Sequence, residues 1–161
     1  GRKLVGAISC CPLSMDFTLH SPYTFEGLES WQPALPLKGA AYAAKLADKD
    51  FRDGVRAELS RPAHFRLFNA QWDQVEVVES ADKDAEQRSI GELARSAGKD
   101  PLDFMLDLAL AENLDTVFNA MLPNSDETAV ARMLRHPACN ATRPDEQAVS
   151  SAMQGPRKLR K

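Results

Sequence analysis

Apolar and polar positions along this chain fall into strand-like and helix-like patterns in turn. Lys3 to Cys10 (Lys-Leu-Val-Gly-Ala-Ile-Ser-Cys) is short, largely apolar and β-branched near its middle, as a buried parallel strand would be. Pro12 ends it, because proline offers no donor to a ladder. Residues 12–37 read as a long loop punctuated by Pro12, Pro22, Gly27, Pro33 and Pro36. Its content of Met15, Phe17, Leu19, Tyr23, Phe25, Leu28 and Trp31 argues for order against a surface rather than for a free linker.

Residues 38–60 read as a helix in two pieces. Ala40 to Leu46 is alanine-rich; Asp48 or Asp50 caps a second piece in which Phe51, Val55 and Leu59 recur every fourth residue. His64–Phe68 and Gln74–Val78 read as two short strands, a small hairpin or a βαβ edge. Ser89 with Glu92 three residues on is a capping box, and Gly98 a natural stop. Asp100-Pro101 opens the next helix, apolar on more than one face from Leu102 to Leu110. Thr116–Leu122 is the second good strand, and Ser125 is the expected cap of a last helix that Pro137 ends. Alternation of strands with helices indicates an α/β fold with parallel pairing.

Composition changes this picture little. The 161 residues fit one domain, 43% hydrophobic and 27% charged, with a formal net charge of −3 that argues weakly against a nucleic-acid binder. The terminal Gly-Pro-Arg-Lys-Leu-Arg-Lys is basic and reads as a solvated end, with nucleic-acid contact the lesser alternative. No apolar run approaches the ~20 residues of a membrane helix, so no membrane partner is expected. Cys10, Cys11 and Cys139 suggest no disulfide framework; a reducing, cytoplasmic setting is the easier reading. The chain starts at Gly1 inside a strand-like run, without a signal-peptide pattern, and is expected to be an internal piece of something longer.

Candidate chemistry is sparse. His20, His64 and His136 form no His-x-His or His-Glu-x-x-His pair, and neighbouring Cys10 and Cys11 point to opposite sides of a strand, so no metal site is expected. Neither a glycine-rich phosphate loop nor a Gly-x-Ser-x-Gly elbow occurs. Asp16 and His20 lie in the same loop and form the one conceivable acid–base pair of a small hydrolase. His136 at a helix end answers the helix dipole, and Met105, Met121 and Met133 read as core filler.

Four stretches taken together carry a resemblance. They are Ser-Cys-Cys-Pro-Leu-Ser-Met-Asp-Phe-Thr-Leu (9–19), Tyr-Thr-Phe-Glu-Gly-Leu-Glu-Ser-Trp (23–31), Gly-Lys-Asp-Pro-Leu-Asp-Phe-Met-Leu-Asp-Leu-Ala-Leu (98–110) and Asn-Ser-Asp-Glu-Thr-Ala-Val-Ala-Arg-Met-Leu-Arg-His-Pro (124–137). In order and spacing they resemble the later part of metal-dependent amidohydrolases of the N-acyl-D-amino-acid deacylase (D-aminoacylase) type.

The resemblance implies a partial TIM-like (β/α) barrel segment over residues 1–137, with a helical and β-hairpin insert over about residues 12–80. Residues 138–161 would be a divergent, flexible tail. Lys3–Ser9 and Thr116–Leu122 would be barrel strands. Active sites of such barrels lie at the C-terminal strand ends, which makes Met15, Phe17 and Met121 candidates for a substrate pocket. The implied substrate is a small N-acyl amino acid. In enzymes of that type a bound zinc lowers the pKa of its water toward ~7 and polarises the amide carbonyl, while an aspartate relays the proton.

This sequence holds neither part of that machinery. The His-x-His, the bridging ligand and the two later histidines of the type would all precede Gly1. His136-Pro137 is followed by Ala-Cys-Asn-Ala-Thr-Arg-Pro-Asp, outside the expected Ser-Asp-Gly pattern, so no role passes to Asp145. The expectation is a chain with no catalytic residue, no metal ligand and no cofactor of its own. The alternative is a non-catalytic binding or assembly module that self-associates through uncovered strand edges.

Overall fold

A computed structural model describes residues 6–9, 12–62, 66–122, 126–136 and 139–142. Their elements are β1 (Gly6–Ser9), β2 (Ser14–Phe17), α1 (Gly39–Ala47), α2 (Lys49–Leu59), β3 (Val75–Glu79), α3 (Ile90–Ala97), α4 (Pro101–Ala111), β4 (Val117–Met121), α5 (Glu127–Leu134) and β5 (Cys139–Thr142). Short 3-10 turns stand at Glu29–Trp31 and Trp72–Gln74. The fold is mixed α/β, in two compact units: residues 14–122, and residues 1–13 with 123–161. Among the described residues no helix is long and apolar enough to cross a membrane.

In the second of these units β1 pairs in parallel with β5, Gly6 opposite Cys139. The α5 helix is capped by the Asp126 carboxylate, which accepts from the Ala129 N–H, whereas Ser125, the expected cap, lies outside the described residues. Most of the expected tail, residues 143–161, lies outside them as well.

The unit of residues 14–122 holds a three-stranded sheet ordered β2-β4-β3, antiparallel throughout. The parallel pairing expected of Thr116–Leu122 is therefore not what β4 makes here. β2 is a strand inside the expected loop. Its Ser-Met-Asp-Phe sequence alternates polar and apolar side chains, and Met15 and Phe17 turn to the same side as Phe118 and Ala120 of β4.

The expected strand at His64–Phe68 does not form over its described part, Arg66–Phe68; His64 and Phe65 lie outside the described residues. The Arg66 guanidinium instead donates to the carbonyls of Glu58, Leu59 and Arg61, satisfying acceptors at the C-terminal end of α2. Phe68 is buried against Phe25 and Trp72, at centroid separations of 5.3 and 4.8 Å. These ties keep Arg66–Phe68 from pairing with β3, which pairs with β4 and also meets Gln87–Ser89 through Glu76 and Val77.

Why the long segment after β2 is ordered follows from its aromatic side chains. Phe25 stacks on Trp31 at 4.8 Å, Trp31 meets Phe51 of α2 edge-on at 5.2 Å, and Phe17 bridges Phe25 to Phe118. Each ring buries a large apolar area and adds an aromatic pair worth about 0.5–1.5 kcal/mol. The backbone of this segment is answered as well: the Glu58 carboxylate accepts from the N–H groups of Glu29 and Ser30.

The helices start where their caps are. Asp48 accepts from Asp50 N–H, Ser89 from Glu92 N–H, and Asp100 from Leu102 and Asp103 N–H ahead of Pro101. Gly98 closes α3 at φ +64°, a left-handed conformation that costs glycine least. α2 and α4 are laced together by ion pairs: Arg52 with Asp103 and Asp107, and Arg56 with Asp100 and Asp103.

Candidate functional site

Of the hollows on the unit of residues 14–122, two border residues singled out in the sequence. The first, about 540 Å³, is lined by Met15, Asp16, Phe17, Thr18, Ser21, Tyr23 and Val117. It lies along β2, an outer strand of the sheet. Its walls are mainly apolar: Phe17 is buried, Met15 half-buried and Tyr23 exposed. The carboxylate of Asp16 accepts a 2.7 Å hydrogen bond from the Asn119 amide across the strand pair.

Two of the three pocket candidates meet here. Met15 and Phe17 border the same hollow, one strand period apart. Met121 does not join them, and the register gives the reason. Met15 stands opposite Ala120, so Met121, the next residue of β4, projects from the other face, opposite Ser14. It is 40% exposed and neither packs in the core nor lines the hollow. Of the other expected core methionines, Met105 is fully buried and Met133 is exposed.

The second hollow, about 550 Å³, lies beside the first turn of α1, with His20, Glu26, Lys38, Tyr42, Asn113 and Leu114 among its lining. At its edge His20 Nε2 and Asp115 Oδ1 are 3.1 Å apart, on side chains 58% and 78% exposed. The acid–base pair weighed for Asp16 and His20 is thus not assembled, since Asp16 is engaged by Asn119 and His20 by Asp115. Burial pushes the Tyr42 phenol up to about 12, and the Glu26 carboxylate adds to the rise. Tyr42 therefore stays protonated at physiological pH and contributes no base.

The α4–β4 turn beside this hollow went unread in the sequence. Asn113 and Leu114 both take positive φ, 54° and 69°. Asparagine tolerates that region and was a readable signal for a helix end. Leucine does not favour it. Leu114 is held there by a 2.6 Å hydrogen bond from its N–H to the Ala109 carbonyl and by burial of its side chain. Glu112 pins the same turn, accepting from the hydroxyls of Ser80 and Thr116 and the N–H groups of Ala81 and Asp82. Burial raises the Glu112 carboxyl, and these hydrogen bonds outweigh that effect, so its pKa is lowered.

The described residues supply no ligand set for the zinc that the amidohydrolase resemblance implies. Among the described residues no three His, Cys, Asp or Glu side chains converge to hold a metal ion. Cys10, Cys11 and His64 lie outside them. His136 follows the C-terminal end of α5, where its backbone N–H donates to the Met133 carbonyl. No family model, no curated protein and no solved structure matches the chain.

Proposed function

We propose that this chain is a segment of an amidohydrolase of the N-acyl-D-amino-acid deacylase type. On this reading it is a partial (β/α) barrel stretch with its insert, and the hollow over β2 takes the substrate's side chain. The observation that carries the reading is the order and spacing of the four sequence stretches at 9–19, 23–31, 98–110 and 124–137. A mainly apolar hollow bordered by Met15 and Phe17 is compatible with it. Within that reading Met15 and Phe17 offer an apolar wall, and the Asp16–Asn119 hydrogen bond keeps β2 in register beside it. No residue of this chain is given a catalytic or metal-binding role, so the proposal is that hydrolysis needs residues beyond these.

The coding sequence upstream of Gly1 tests the reading. A His-x-His in the same frame is expected, and the extended protein, supplied with zinc, should release free amino acid from N-acetyl-D-amino acids and not from their L enantiomers. A frame without that motif, or an extended product inert toward every N-acetyl-D-amino acid offered, would overturn it. The present chain alone is expected to show neither stoichiometric zinc nor turnover; finding both would assign the chemistry to residues given no role above.

A second reading, an assembly module, is favoured by the position of β2 at the outside of its sheet, with exposed Tyr23 nearby. Sedimentation at micromolar concentration decides it. A concentration-dependent dimer supports it, and a compact monomer across the range removes it.

A further inference from the structure

We draw no further inference here: the strongest candidate, the cavity beside the first turn of α1, sets Lys38 among Glu26 and the exposed His20–Asp115 pair, and nothing in the structure shows what fills it.

Discussion

Met15 and Met121 lie on opposite faces of one sheet, although each sits one residue from the other's cross-strand partner. Substitutions on the two faces should therefore differ sharply. Met121→Lys places a charge where a side chain already meets water, and the stability change should stay within about 0.5 kcal/mol. Phe17→Ala removes a buried ring packed on Phe25 and Phe118, and should cost about 3–5 kcal/mol. Urea denaturation of both variants checks this. Equal losses would mean that the register of β2 on β4 is wrong.

Gly91 makes room for Asp73. A Cβ on Gly91 would overlap the Asp73 carboxylate and press on its backbone nitrogen. The carboxylate is also the partner of Arg95. Gly91→Ala gains up to ~1 kcal/mol of helix propensity and meets about 1–3 kcal/mol of overpacking, so the net effect should be a loss of about 1 kcal/mol. Gly27→Ala is the control, because a Cβ there meets nothing within 4 Å. Its denaturation midpoint should hold or rise slightly. A stabilised Gly91→Ala protein would show that the turn at Trp72–Gln74 gives way freely.

What the sequence made legible was local. Ser89, Gly98 and Asp100-Pro101 act within a turn of their own positions, and each does in the structure what its chemistry suggests. Even so, the capping box is half made: Ser89 accepts from the Glu92 N–H, while the Glu92 carboxylate is taken by Arg88. Pairing across the sheet was not legible, because nothing near Ser14–Phe17 in sequence names β4, a hundred residues on, as its partner. The same limit applies to the site. Met15 and Phe17 share a face by strand parity alone, but the face of Met121 depends on a register set over that distance. The Arg66 ties to the end of α2 likewise overrode a strand-like pattern by contacts that no periodicity encodes.

Arg52 is the hub of the α2–α4 ion pairs. Its side chain is 11% exposed and donates to the Leu46 carbonyl as well as to Asp103 and Asp107. Arg52→Met keeps much of the stem's packing but leaves those acceptors short of a donor, and should cost about 1.5–3 kcal/mol. Lys49, paired with Asp53 on a side chain 85% exposed, should be dispensable: Lys49→Met leaves the denaturation midpoint where it was. Raising the salt concentration should shrink the Arg52→Met deficit only partly, because the partly buried pair is poorly screened. A deficit that vanished in salt would place Arg52 in open solvent.

Acid should loosen the fold through Glu112, Glu58 and Asp107. Burial raises each carboxyl, but hydrogen bonds and neighbouring cations outweigh it. For Glu58 these are the Ser30 and Glu29 donors with Arg66, and for Asp107 they are Lys99 and Arg52, so all three pKa values are lowered. A carboxylate whose pKa is lower in the folded than in the unfolded chain binds fewer protons when folded. Its stabilisation is complete above the ordinary carboxylate range and is lost as pH falls through the depressed value. Urea midpoints should therefore be level from pH 7 down to about 5 and fall steadily below that. Glu112→Gln starts lower at pH 7, since its amide oxygen keeps the Ser80, Ala81 and Asp82 donors without the charge, while its amide nitrogen cannot accept from the Thr116 hydroxyl. Its decline with acid should be shallower than that of the wild type, so the two curves converge toward pH 3. Parallel curves over that range would mean that Glu112 titrates alike in the folded and unfolded chain, and that the clamp on the α4–β4 turn does not depend on its charge.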